Sequence, residues 1–124
     1  MAASERAIHL TQVAARAAAD KQATDLVAFD VSERLALTDV FLIATGGNER
    51  LIGAVVDAVE EALFHEGAKA LRREGDREAR WVLVDFGDIV VHVQHPEERQ
   101  LYSLERLWRD TPAVALELEQ SPTA

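Results

Sequence analysis

The stretch WVLVDFGDIVVHV, residues 81–93, constrains the fold more than any other part of the chain. Two runs rich in valine, 81–85 and 89–94, are separated only by a short segment that contains Gly87. Such runs favour strands and so short a connection favours a hairpin, which the sequence therefore predicts. Alternation places Trp81, Leu83 and Asp85 on one face of the first strand, with valines on the other. A large aromatic side chain is thus expected on a face that is available to a partner.

Helical and strand patterns surround this hairpin. We predict a first helix over 6–22, strands over 25–31 and 37–46, and an amphipathic helix over 49–65, whose apolar residues recur at helical spacing. Asn48 is suited to cap that helix and Gly67 to end it. A short strand is expected within 68–80, and a third helix runs from Pro96 to about residue 108. The predicted order is α-β-β-α-β-β-β-α.

With 124 residues, the chain has the length of one domain. The element order predicts an α/β or α+β protein in which a sheet of about five strands is flanked by helices. We assign residues 1–110 to this domain. Residues 111–124 are expected to form a flexible C-terminal tail, with a docked stretch near Val114 to Leu118.

Composition narrows the possible partners. The apolar runs are too short to span a membrane and the N-terminal segment contains charges, so we expect a cytoplasmic protein without a signal peptide. The absence of cysteine excludes disulfides and thiolate zinc sites. A net charge of −9 disfavours direct nucleic-acid binding, because such binding depends on cations that neutralise phosphates. A basic protein is the more favourable partner.

The acids and histidines of the hairpin permit two interpretations. Asp85 and Asp88 have the residue type for metal or acid–base chemistry, but acids beside a tight turn commonly bind backbone amides. His92 and His95 point to opposite faces of a regular strand, so they share a metal only if the chain bends. His92 is better explained as a histidine of the sheet face with a hydrogen-bond partner. We therefore predict no catalytic residue, metal or cofactor.

The third predicted helix has an apolar and a mixed stripe. Leu101, Leu104 and either Leu107 or Trp108 have the spacing of a core-facing row. Tyr102, Arg106 and Arg109 form a second row of the residue types that anchor protein interfaces. This second row fits equally well a surface on which Arg106 pairs with a nearby acid.

Three motifs occur together and in order: DVS…TDVFLIATG, the hairpin segment EG…WVLVDFGDIVVHV, and YSLERLW. Together they resemble the bacterial and organellar ribosomal silencing factor family, also called Iojap-like. The resemblance covers about 7–108, and the tail after Asp110 extends beyond it. It implies a mixed sheet between helices, related to nucleotidyltransferases.

The resemblance also implies a function and a surface. It implies binding to the large ribosomal subunit through ribosomal protein uL14, which blocks small-subunit joining and represses translation when nutrients run short. It implies a homodimer in the free state. The contact residues that it implies are Trp81, Leu83 and Asp85 on the hairpin, with Tyr102, Glu105 and Arg106 on the last helix.

Two other functions remain as alternatives. A metal-dependent nucleotidyltransferase needs a carboxylate pair with D-x-D spacing, which does not occur here, so Asp30 and Asp39 would have to substitute. A dimeric interaction module with another protein partner would use the third helix equally well.

Overall fold

A five-stranded sheet with two long helices packed on one face forms the body of the protein. The computed structural model describes residues 2–75 and 79–118. In chain order its elements are α1 (Glu5–Asp20), β1 (Thr24–Asp30), β2 (Val40–Thr45), α2 (Glu49–His65), β3 (Arg72–Glu74), β4 (Trp81–Asp85), β5 (Ile89–Gln94), α3 (Pro96–Tyr102) and α4 (Leu104–Leu107). No helix within the described residues has the length and apolar character needed to cross a membrane.

Both long helices begin at side-chain caps. The Ser4 hydroxyl accepts a hydrogen bond from the Ala7 amide at 3.0 Å, and the Asn48 carbonyl oxygen accepts one from Leu51 at 2.8 Å. These caps bind amide groups that have no partner inside the helix. The predicted bounds and cap of α2 are confirmed, and Gly67 after its end has a φ of +82° that suits glycine.

The sheet has the strand order β1-β2-β5-β4-β3. The central strands β2 and β5 are parallel, whereas the other neighbouring pairs are antiparallel. β5 is buried along its whole length, which explains why four of its six residues are aliphatic and lie on both of its faces. The predicted hairpin of β4 and β5, with its bounds, is confirmed, as is the mixed α/β fold.

The hydrophobic core lies between the sheet and the two long helices. Alternate residues of β2, β4 and β5, mainly valines, pack against the apolar sides of α1 and α2. The helix α1 contributes mostly alanines to this core, including Ala7, Ala14 and Ala18. The core thus occupies one face of the sheet and leaves the other face for α3, α4 and solvent.

The prediction of one continuous third helix is wrong. The chain leaves α3 at Ser103, whose φ of +42° lies in the left-handed region, and the separate helix α4 begins at the next residue. Leu101 and Leu107, which the helical spacing placed in the core, are 73% and 64% exposed. The break removes the common axis that the two predicted stripes require. Trp108, the other candidate for the apolar row, does pack inward, with its ring centroid 5.3 Å from that of Phe41.

The described part of the predicted tail lies along the outer edge of β1. The Asp30 amide donates to the Pro112 carbonyl at 2.8 Å, and the Val114 amide donates to Ala28 at 2.9 Å. The Gln12 side chain donates to the Ala115 carbonyl and accepts from the Glu117 amide, both at 2.7 Å. Residues 119–124 lie outside the described residues.

Candidate functional site

The sheet face opposite α1 and α2 displays the three hairpin residues that the resemblance implies as contacts. Trp81, Leu83 and Asp85 are half-buried, and they alternate with the fully packed Val82 and Val84. The predicted division of β4 into two faces is therefore confirmed. It leaves one row of side chains within reach of a partner.

Trp81 lies beside Tyr102 at one end of this row. The ring centroids are 5.0 Å apart with planes tilted by 44°, and 54% of Tyr102 is exposed. Tyr102 is the last residue of α3, so the end of that helix brings the second aromatic ring to the hairpin. The structure thus joins two of the predicted contact residues into one aromatic surface.

The indole of Trp81 is also bonded to the sheet beneath it. Its Nε1–H donates to His92 Nδ1 at 3.2 Å, and Phe41 contacts the imidazole from another side with ring centroids 4.9 Å apart. Burial lowers the pKa of His92 from 6.5 to about 4, so the ring is neutral at physiological pH. The prediction that His92 is a sheet-face histidine with a hydrogen-bond partner is confirmed.

Leu83 and Asp85, at the other end of the row, border an apolar groove. The groove has a volume of about 440 Å³ and lies between the segment after β1 and the exposed face of β4 and β5. Its lining is mainly apolar: Leu35, Ala36, Leu37, Phe41, Leu83 and Val90, with Arg34, Thr38, Arg72 and Asp85. The 34–37 side of this groove was missed, because Leu37 was assigned to a strand. The strand begins only at Val40 and Leu37 is 90% exposed.

Glu105 forms an internal ion pair. Its carboxylate accepts from Arg99 Nε at 2.9 Å and from Arg99 Nη2 at 3.1 Å, while Arg99 Nη1 donates to the Thr45 hydroxyl at 2.7 Å. The hydrogen bonds from Arg99 lower the pKa of Glu105. Arg99 is buried and thus fastens α4 to the end of β2. Sequence reasoning missed Arg99, because nothing in its helical position distinguishes it from a surface arginine.

Arg106 has an exposed side chain that, within the described residues, forms no ion pair. Of the two interpretations of its stripe, the pairing with a nearby acid is not seen among these residues. Arg106 follows the break at Ser103, so it does not continue a helical row from Tyr102.

Of the two hairpin acids, Asp85 serves the turn. Asp85 Oδ1 accepts the Gly87 amide at 2.8 Å, and Gly87 has a φ of +90°. This is the turn chemistry that the sequence favoured over catalysis. Asp88 is exposed.

The aspartates that the enzymatic alternative requires also bind backbone amides. Asp30 accepts from Ala3 and Ser32, and Asp39 accepts from Ser4 at 2.9 Å. Burial alone would raise the pKa of Asp30, but hydrogen bonds from Ser32 and Ala3 outweigh this effect and the pKa lies below its ordinary value. Both carboxylates therefore hold the N-terminus of α1 and the end of β1 in place.

A second polar cluster surrounds Arg80 at the start of β4. His95, Glu97 and Glu98 have ligand atoms within 4.8 Å of one another, the residue types of a metal site. However, the Arg80 guanidinium already pairs with Glu97, with Glu98 at 3.0 Å and with Glu49 at 3.4 Å. A cation in the middle of these carboxylates makes the cluster an ion-pair network that joins α2, β4 and α3.

Known proteins share both the sequence and the fold. The family model described as "Ribosomal silencing factor during starvation" matches residues 4–124, including the tail that the motif resemblance left out. A ribosomal silencing factor of Halalkalibacterium halodurans is 42% identical over 108 residues, which are 87% of this chain and 92% of that protein. A mouse protein, "Mitochondrial assembly of ribosomal large subunit protein 1", is 32% identical over 91 residues, 71% of this chain and 40% of its own length.

A crystal structure of a protein from Chromobacterium violaceum superimposes with a TM-score of 0.78 at 32% identity, covering 94% of this chain and 97% of that one. Sequence, fold and family match agree over nearly the whole chain. The chain therefore belongs to the ribosomal silencing factor family.

Proposed function

We propose that this chain is a translation regulator of the cytoplasm that binds the large ribosomal subunit through ribosomal protein uL14. Bound there, it blocks the small subunit from joining and represses translation when nutrients are limiting. Family membership supports this function, as does the mouse relative, whose name refers to assembly of the large ribosomal subunit. A protein that blocks subunit joining must bind the large subunit and occupy the space that the small subunit needs; it does not need catalytic turnover.

The observation that carries the proposal is the aromatic surface on the uncovered sheet face. Trp81 and Tyr102 are in contact with each other and partly exposed, next to Leu83. Rings of this kind supply a large contact area at little conformational cost and dominate the energies of many interfaces. In this protein they lie on the side of the sheet that the long helices leave open.

The other implied contact residues take different roles. Leu83 supplies an apolar contact at the mouth of the groove, and Asp85 and Arg106 supply charges that fix the orientation of the partner. Glu105, which already binds Arg99, supports α4 rather than meeting the partner. The net charge of −9 favours a basic protein over exposed RNA.

We further propose that the free protein is a homodimer. Large apolar side chains such as Leu37, Leu71 and Tyr102 are exposed on the single chain, and a second copy would cover part of this surface. Sedimentation of the purified protein over a range of concentrations measures this association.

Binding to purified large subunits tests the proposed surface. We expect Trp81→Ala and Tyr102→Ala to weaken co-sedimentation with large subunits, and binding to isolated uL14, by about thirtyfold or more, because anchor residues contribute at least about 2 kcal/mol. Phe64→Ala is the matched control, since Phe64 is an aromatic residue of α2 with 65% exposure on the helical layer. Circular dichroism verifies that each variant is folded.

Two results would contradict the proposal. If folded Trp81→Ala and Tyr102→Ala variants pellet with large subunits at wild-type affinity, the surface is wrong. If the wild-type protein binds large subunits but does not reduce their association with small subunits, the blocking function is wrong.

A further inference from the structure

We propose that His92 is a positioning residue of the docking surface, and that its imidazole holds the Trp81 indole in the orientation that the partner meets. This inference rests on the proposed function. Trp81 donates its Nε1–H to His92 Nδ1 at 3.2 Å from the neighbouring strand. In the register of the hairpin His92 lies opposite Leu83, so it reaches Trp81 diagonally across the sheet face.

The hydrogen bond defines the chemical state of the imidazole. Because Nδ1 accepts the indole proton, a neutral His92 must carry its own proton on Nε2. Neutrality follows from burial: His92 is 4% exposed, and its pKa is lowered to about 4. The ring is therefore a fixed acceptor for Trp81 throughout the physiological pH range.

Stability alone does not account for a histidine at this position. Within the described residues, the buried Nε2 has no hydrogen-bond partner. A buried donor without an acceptor is unfavourable, and the preceding residues of β5 are aliphatic. An aliphatic side chain would remove this unpaired donor, and the half-buried indole that loses its acceptor can turn its N–H to water, so the protein would be about as stable. What an aliphatic side chain would not supply is an acceptor for Trp81.

Fixing Trp81 has two consequences for binding. The indole is held between His92 and Tyr102, so a partner need not immobilise a mobile ring on binding. The N–H of the indole is also directed inward, so a partner meets ring carbons and the π face. That surface suits an aliphatic side chain or a lysine or arginine of a basic protein.

Two substitutions at His92 separate positioning from stability. His92→Leu removes the acceptor and keeps an apolar side chain of useful volume. His92→Asn places a carbonyl oxygen near the position of Nδ1, but it loses the ring that contacts Phe41. We expect His92→Leu to equal or exceed the wild-type melting temperature while binding large subunits three- to tenfold more weakly. We expect His92→Asn to be less stable yet to bind more tightly than His92→Leu.

The position of the indole can be followed without a ribosome. The Nε1–H proton resonance of Trp81, assigned with a Trp108→Phe variant, should shift and exchange faster with solvent in His92→Leu. In His92→Asn it should return towards the wild-type shift. Trp81→Phe combined with His92→Leu should bind no more weakly than Trp81→Phe alone, because each change removes the same hydrogen bond.

The outcomes distinguish the inference from the proposed function. The positioning role is overturned if His92→Leu binds large subunits with wild-type affinity. It is also overturned if the affinities of the wild type, His92→Leu and His92→Asn rank in the same order as their stabilities. If the wild-type protein itself does not bind large subunits, the proposed function fails. The indole resonance alone then tests whether His92 positions Trp81. A wild-type resonance in His92→Leu would then overturn the inference, whereas a shifted one restored by His92→Asn would support it.

Discussion

His92 is a titratable residue on a strand of buried side chains, and its protonation is coupled to folding. Burial lowers its pKa from 6.5 to about 4, so the unfolded chain binds the proton more tightly than the native protein. The contribution of His92 to the free energy of unfolding is therefore largest above pH 6.5, where the ring is neutral in both states. This contribution is lost as the pH falls towards 4, because the unfolded chain takes up the proton first. The shift corresponds to at most about 3 kcal/mol.

We therefore expect the free energy of unfolding to fall between about pH 7 and about pH 4.5, and to fall less in His92→Leu. Urea denaturation at a series of pH values measures this difference. The other histidines are common to both proteins, and the lowered pKa values of Asp30 and Glu105 place their titration at lower pH. Parallel curves for the two proteins would show that His92 is not the group responsible.

Single side chains were predictable where a strand defines their environment. Alternation along β4 was enough to place Trp81, Leu83 and Asp85 on one face, because a strand has only two faces. The Trp81–His92 bond and the burial of Arg99 were not predictable. The Trp81–His92 bond depends on the register of the predicted hairpin, and the burial of Arg99 depends on the packing of α3 against the end of β2. The sequence alone states neither.

At the scale of elements, the α3–α4 segment depends on one ion pair. Arg99 is buried and bonded to both Glu105 and Thr45, so removal of Glu105 leaves a buried cation with one partner fewer. We expect Glu105→Ala to lower the free energy of unfolding by about 2 kcal/mol. Arg106→Ala, on the same short helix but exposed, should change it by less than about 0.5 kcal/mol.

Thermal denaturation of the two variants provides the comparison. Equal stability of Glu105→Ala and Arg106→Ala would mean that the Arg99 pair does not hold α4. In that case Glu105 would again become a candidate for direct contact with the partner.

Elements with strong local signals were predicted with their bounds. The helix α2 has a cap, an apolar period and a terminal glycine, and the hairpin has two valine-rich strands around a tight turn. The third helix was wrong because its break has no such signal. Ser103 takes a left-handed conformation that is unusual for serine, and tertiary contacts such as the Arg99 pair outweigh the local preference.

At the scale of the whole molecule, the acidic net charge should control the rate of association with the partner. With a net charge of −9, attraction to a basic ribosomal protein acts over about a Debye length. We expect the association rate with isolated uL14 to fall several-fold between about 50 mM and about 300 mM salt, while the dissociation rate changes less. Stopped-flow or surface-based kinetics measure both rates.

Salt should thus act mainly on the association rate, whereas the Trp81→Ala substitution should act mainly on the dissociation rate. We expect Trp81→Ala to dissociate faster than the wild type and to associate at nearly the same rate, because the contact of Trp81 is short-ranged. An association rate that does not depend on salt would contradict a partner chosen by charge.

The segment 112–118, which lies along the outer edge of β1, also has a consequence for the time course of synthesis. Gln12 binds the backbone of Ala115 and Glu117, more than a hundred residues later in the chain. Until that late segment has been translated, the outer edge of β1 offers unpaired amide and carbonyl groups to any neighbouring strand. A nascent chain that has completed its five strands is therefore still open to aggregation, until the segment 112–118 covers this edge.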